Sequence, residues 1–193
     1  MKRKYWLIIA IVLVVFLFAK LQSKNILGLS QFISSKDFNL PEELLNEPIS
    51  GRPQVQISTS KGDFVFELRP DLAPNTVAHF LGLFAQGKCN NLTFHRVEDW
   101  VVQGCDPKGD GTGGELSLPT ETSAESFTVG SIGVARKTTP KNFSNNYQFF
   151  IVKTDSPFLD NEYTYFGKVV SGMDVVKRLI IGDKILSSDV LTK

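Results

Sequence analysis

The pattern of apolar and polar positions divides the chain into three stretches of different kind. The first is an unbroken apolar run from Trp6 to Ala19 behind Lys2, Arg3 and Lys4. With no polar face and three charges beside it, the run makes a poor core helix and a good secretory signal or membrane anchor. A helix over these residues rises only about 21 Å against a hydrocarbon core of about 30 Å, which favours a cleavable signal, although Tyr5 and Leu21 can lengthen it. Leu17-Phe18-Ala19 offers a small residue at only one of the two positions a processing site wants, so an uncleaved signal anchor over residues 1–20 is the expectation and a secreted domain the alternative. The basic side stays cytoplasmic, which places everything beyond residue 20 outside the cytoplasm.

The second stretch, 21–53, mixes Ser, Asn, Lys, Pro and Gly with scattered Ile26, Leu27 and Phe32 and has no sustained period. It reads as a linker, with one helical turn at Pro41-Glu42-Glu43-Leu44-Leu45.

The third stretch, 54–193, opens with period-two alternation. Val55 and Ile57, the turn Ser60-Lys61-Gly62-Asp63, and Phe64-Val65-Phe66-Glu67-Leu68 predict a β-hairpin. Val77 to Phe84 then carry apolar residues at helical spacing, with Pro74 and Asn75 suited to the helix entry. Short strands are predicted at Thr93–Val97, Trp100–Gln103, Phe127–Ile132, Phe149–Val152 and Tyr165–Val169. A second helix follows over Met173–Leu179, and Lys184–Leu186 with Val190–Leu191 supply a last strand. Many short strands with two helices predict a mainly β domain, a closed barrel capped at its ends.

An apolar share of 42% over 193 residues suffices for one well-cored domain plus the appendage. Without Lys2, Arg3 and Lys4 the formal net charge goes from +1 to −2, so the exported part is nearly neutral and nucleic acid is not an expected partner. Cys89 and Cys105 lack a spacing motif. A disulfide is neither required nor excluded, and two unpaired, partly buried thiols are the expectation.

Candidate chemistry concentrates in three ordered blocks. Thr93-Phe94-His95-Arg96-Val97 is followed by Gln103-Gly104 and the loop Gly109-Asp110-Gly111-Thr112-Gly113-Gly114. Next come Tyr147-Gln148-Phe149-Phe150-Ile151, and then Phe158-Leu159-Asp160 leading to Tyr165-Phe166-Gly167-Lys168-Val169. In order and spacing they resemble the cyclophilins over residues 54–193. The resemblance implies a peptidyl-prolyl cis-trans isomerase without cofactor or metal, built as a closed eight-stranded antiparallel barrel with two capping helices. Such an enzyme acts on proline-containing polypeptides, and a monomer is expected.

Rotating an Xaa-Pro bond breaks amide resonance but needs no covalent intermediate. A catalyst must grip the proline ring and favour the twisted amide, whose nitrogen becomes basic; an arginine aimed at that nitrogen does so with a fixed charge and a rigid fork of donors. By resemblance that residue is Arg96, and Gln103 is the glutamine that orients it. Trp100, Val101, Phe150 and Leu159 match the ring-gripping positions, with Phe158 and Tyr163 at the rim where the family usually carries tryptophan and histidine. Ala135 and Arg136 resemble the segment whose backbone pairs with the substrate, and Gln148 contacts substrate or braces the site.

The chain departs from the pattern in places. Three residues, Val97, Glu98 and Asp99, separate Arg96 from Trp100 where four are usual. Trp100 replaces Phe, Cys105 replaces Gly, Tyr147 replaces Ser and Asn161 replaces a turn glycine.

Rival motifs are weaker. Gly109-x-Gly111-x-x-Gly114 fits a dinucleotide fingerprint, but Glu115-Leu116-Ser117-Leu118-Pro119 follows instead of a helix. Asp106, Asp110 and Gly111 echo a calcium loop, yet Lys108 and Ser117 occupy ligand positions. His95 with Cys105 suggests a thiol nucleophile, but His95 should point into packing, away from Arg96. Asn91-Leu92-Thr93 and Asn142-Phe143-Ser144 are glycosylation sequons only in a host that glycosylates. The isomerase is the leading reading. A proline-peptide-binding chaperone module with little turnover is the alternative, and a thiol hydrolase sensitive to alkylation is third.

Overall fold

In the computed structural model, Ile49 and residues 51–191 are described. The anchor over 1–20, the helical turn at 41–45 and nearly all of the linker lie outside the described residues. Among the described residues no helix is long and apolar enough to cross a membrane.

Eight strands form one sheet in the order β10-β1-β2-β9-β6-β8-β4-β3. They are β1 (Gln54–Thr59), β2 (Gly62–Leu68), β3 (Phe94–Val97), β4 (Val101–Gly104), β6 (Ser131–Val134), β8 (Phe149–Val152), β9 (Tyr165–Ser171) and β10 (Ile185–Leu191). A separate ladder joins β5 (Leu116–Pro119) to β7 (Phe143–Asn145). Helix α1 (Pro74–Ala85) and helix α2 (Met173–Arg178) complete the fold. All the sheet pairings are antiparallel.

The closed barrel expected from the sequence is corrected to a curled sheet with a seam. Edge strands β3 and β10 share no ladder. They meet at a single bridge, Thr93 with Lys184, and through bonds such as Phe94 N–H to Asp183 C=O (2.9 Å) just ahead of β10. The chain reaches the far edge through the turn at Ile180–Asp183, so only the ends of the two strands come level.

Inside the curl, alternate residues make an apolar core. Val55 and Ile57, Phe64 and Phe66, Phe149 and Ile151, and Phe166 all face it, joined by Val77, Phe80 and Phe84 of α1. Aromatic rings dominate: Phe80 stacks on Phe166 at 4.7 Å, and Phe66 meets Phe84 edge-on at 5.5 Å. Proline at the first turn suits the start of α1, and Ala73 ahead of it has no capping side chain. The orphan donors are met from far along the chain: the Asn75 and Thr76 N–H groups donate to the two carboxylate oxygens of Glu121 at 3.1 and 2.8 Å.

One predicted strand shifts and one ladder is new. The strand expected at Phe127–Ile132 lies at Ser131–Val134, because Gly130 takes φ +85° and Ser131 N–H closes a turn to Thr128 C=O. The ladder β5–β7 matches no strand expected from the sequence, since four- and three-residue strands leave too little alternation to detect.

The cysteines are joined. Cys89 and Cys105 form a disulfide with Cα atoms 5.0 Å apart, both fully buried in the core, which corrects the expectation of unpaired thiols. Cys105 takes φ +61° and Asn161 φ +59°. Both therefore hold left-handed backbone at the two positions where the family usually has glycine, a conformation asparagine tolerates and a cysteine adopts at some cost.

Candidate active site

The strands that line the core with one set of side chains present the other set on the outer face. Phe149 and Ile151 point in, whereas Phe150 and Val152 point out; Val102 points in and Val101 out; Phe166 points in and Tyr165 out. The outward residues, with Phe127 and Leu159, form a second, smaller apolar cluster bordered by Leu72, Trp100 and Tyr163.

Within it Phe150 is held on two sides. Its ring stacks on Phe127 at 5.8 Å and meets Tyr163 edge-on at 5.7 Å. Beneath it runs Gly133, where any Cβ would collide with the Phe150 ring and come within 2.8 Å of Phe127. A glycine on the neighbouring strand is thus what lets this ring lie flat against the sheet.

Cross-strand register places the polar groups in the same row. Arg96 pairs with Gln103, Gln103 with Phe150, and Phe150 with Gly133. Simple alternation from Phe94, which is fully buried, would send Arg96 inward. The β3–β4 ladder slips between Phe94 and Arg96, accommodating His95 as an extra residue, and this bulge turns Arg96 to the outer face. His95 lies off the row. Its ring nitrogens are buried with no partner among the described residues, and desolvation by burial lowers its pKa below the usual histidine value. Its ring lies beside Gly111, where an added Cβ would stand 3.7 Å from His95 Cδ2.

A relay of amides fixes Gln103. Its Oε1 accepts from Arg96 Nη1 at 3.3 Å and its Nε2 donates to Gln148 Oε1 at 2.8 Å. Gln148, itself buried, donates onward to the Gly113 and Gly111 carbonyls at 2.7 and 3.2 Å. Gln148 therefore braces the site from behind. The loop it grips is organised by Asp106, whose carboxylate accepts backbone N–H bonds from Lys108, Asp110 and Gly111 at 3.1, 3.0 and 2.6 Å. That carboxylate is occupied with its own loop, and the loop runs into strand β5 instead of a helix, which disposes of the calcium and dinucleotide readings. The disulfide disposes of the thiol reading in the same way.

On the other border, Trp100 meets Phe158 edge-on at 5.1 Å, and Phe158 is 64% exposed on the turn Pro157–Leu159, with Leu159 buried beneath. The Arg136 side chain is tied to the segment that carries Tyr163. It donates to the Glu162 carbonyl (2.8 Å) and carboxylate (2.7 Å) and lies 4.5 Å over the Tyr163 ring. Ala135 is occupied too: its N–H donates to Gln148 C=O at 3.0 Å and its C=O accepts from Asn145 N–H at 2.7 Å. Of these two positions, only Arg136 has a backbone with which no described residue pairs.

Four contributors escaped the sequence reading: Glu98, Phe127, Asn145 and Glu162. None stands in a family motif block; Glu98, Phe127 and Glu162 act from loops and Asn145 from the end of β7.

Comparison with known proteins fits this arrangement. The family model described as cyclophilin type peptidyl-prolyl cis-trans isomerase/CLD matches residues 54–190. The chain belongs to that family. This cyclophilin is 41% identical over 144 residues to a probable peptidyl-prolyl cis-trans isomerase of Brucella suis, covering 67% of this chain and 72% of that one. It is 40% identical over 122 residues to peptidyl-prolyl cis-trans isomerase B of Bacillus subtilis, covering 61% and 83%. Among solved structures it resembles a cyclophilin-type isomerase of Cryptosporidium parvum at TM-score 0.69 and 28% identity, covering 74% of this chain and 99% of that one. That protein has also been solved in the presence of the dipeptide Ala-Pro.

Proposed function

We propose that this cyclophilin accelerates rotation about Xaa-Pro bonds during folding of polypeptides outside the cytoplasm, with Arg96 stabilising the twisted amide. The observation that carries the reading is the row Arg96–Gln103–Phe150 on one face of three neighbouring strands. A proline ring seated on Phe150, between Val101, Leu159 and the rim aromatics, brings its imide nitrogen toward the guanidinium. Rotation destroys amide resonance and localises a lone pair on that nitrogen; a charged N–H donor favours this state over the planar ground states, and so lowers the barrier. Gln103 keeps the fork oriented, and the Arg136 backbone offers the edge along which the peptide lies. No proton is exchanged and no covalent bond forms.

The location rests on the basic, apolar N-terminus and on the Cys89–Cys105 disulfide, since disulfides persist in oxidising compartments. In this reading the apolar segment tethers the domain to the membrane.

The test is cis–trans exchange of an Ala-Pro peptide followed by exchange NMR with the detergent-solubilised full chain and its Arg96→Ala variant. Turnover should fall about 100-fold or more in the variant, with peptide affinity changed far less. Equal losses in turnover and affinity would contradict the twisted-amide role. Peptide shifts without acceleration by the wild type would instead establish a binding module.

A further inference from the structure

The shortened β3–β4 connection brings a carboxylate into the site. Glu98 N–H donates to Val101 C=O at 2.9 Å, so the hairpin closes directly behind Arg96, with Asp99 and Trp100 in its loop. Arg96 and Glu98, two residues apart along an extended chain, project from the same side. The Glu98 side chain divides its two oxygens between two partners. Oε1 accepts from Arg96 Nε at 2.7 Å, and Oε2 accepts from Trp100 Nε1 at 2.8 Å. The guanidinium carbon stands 5.3 Å from the centre of the Trp100 ring. With Nη1 reaching Gln103 at 3.3 Å, the arginine is held at both ends and on one face.

We infer that Glu98 is the positioning residue for Arg96: one carboxylate locks the guanidinium against Trp100 and leaves its outer N–H donors aimed at the proline pocket. This rests on the reading of Arg96 as the catalytic residue. Two effects of the carboxylate oppose one another. It offsets part of the positive charge the twisted amide needs, and it removes the rotamer freedom of a long side chain. Arg96 is 41% exposed and Glu98 46%, so solvent screens the charge effect, while an arginine this exposed would otherwise sample many rotamers. Orientation wins. Because such an exposed pair contributes little to folding, Glu98 variants fold. The carboxylate also ties the catalytic arginine to the pocket wall, since the same group that holds Nε holds the indole that borders the proline site.

The test measures turnover and peptide affinity by exchange NMR for the full chain carrying Glu98→Ala or Glu98→Gln, each alone and with Arg96→Ala. Glu98→Ala is expected to lower kcat about tenfold with peptide affinity within about twofold. Glu98→Gln, whose amide keeps a single acceptor, should fall between. The Trp100 indole N–H resonance, distinguished from that of Trp6 by a Trp100→Phe reference, should lose its hydrogen-bond shift in Glu98→Ala. In the Arg96→Ala background, Glu98→Ala should change turnover no further, because a group that acts through the arginine has nothing left to act on. Unchanged or increased kcat in Glu98→Ala, beside a collapse in Arg96→Ala, overturns the positioning role alone. A second, independent loss in the Arg96→Ala background also overturns it. Turnover that survives Arg96→Ala overturns the reading of Arg96, and this inference with it.

Discussion

On the inner face of the curled sheet Phe149 and Ile151 are sealed under α1, while one residue along the same strand Phe150 and Val152 belong to a second buried cluster whose border, Leu72, Trp100 and Tyr163, is only partly buried. The inner cluster is aromatic and aliphatic throughout and includes the disulfide. The outer one is small, bordered by half-buried Trp100 and Tyr163, and wired by hydrogen bonds to Arg96 and the glutamines. Strand alternation lets one set of four-residue strands serve both purposes. A substitution should therefore be felt on the inner face in stability and on the outer face in turnover.

Phe149→Ala should separate the two faces most strongly. Its ring packs within 5.9 Å of Phe84 and 6.4 Å of Phe66 and is fully buried, so truncation should cost about 3–5 kcal/mol of unfolding free energy by denaturant titration. Molecules that remain folded should keep near-normal turnover. A variant as stable as wild type but inactive would mean that the two faces are not separable.

The disulfide gives the next largest effect. It closes a span of 16 residues between the end of α1 and the end of β4, which in the chain-entropy account is worth about 3 kcal/mol. The double variant Cys89→Ala/Cys105→Gly, with glycine suited to the left-handed backbone at 105, should lose most of that stability while turnover per folded molecule holds. If turnover fell in step with stability at temperatures where the variant stays folded, the inner core would be setting the position of Gln103, two residues away.

Much of this division was legible in the sequence, and the rest was hidden for identifiable reasons. Phe149 and Phe150 stand in one motif block, and period two suffices to send them to opposite faces. Arg96 and Gln103 were found by their blocks, but their meeting depends on the bulge at His95, a one-residue slip that no period reveals. Gln148 was recognised, whereas its role as a brace depends on which carbonyls the Gly111–Gly113 loop turns toward it. Glu98 looked like a spacer because its partners lie two residues to either side on a turn whose closure is a tertiary fact. The cysteines carried no spacing signal, since α1 and β4 bring them together from separate elements. The seam between β3 and β10 was hidden because strand count alone cannot say whether the last pair zips.

The smallest effect concerns the place where β3 passes from one face to the other. His95 is the extra residue there, and burial lowers its pKa; His79 on α1, whose Nε2 donates to the Asn146 carbonyl, is lowered by burial as well. In the unfolded chain both should titrate near about 6.5. Between that value and the lowered folded values the unfolded chain binds more protons than the native one, so stability rises with pH across this window. The contribution is fully present above about pH 6.5 and is lost as pH falls from there toward the folded pKa values. These are the chain's two histidines, so His79→Gln and His95→Phe can be compared directly by denaturant titration at pH 7 and pH 5. Each should flatten part of the wild-type slope. Since the reaction moves no proton, turnover by folded wild-type protein should follow neither histidine; an activity profile that tracked His95 would place it in the chemistry of the outer face and undo the assignment of β3's two directions.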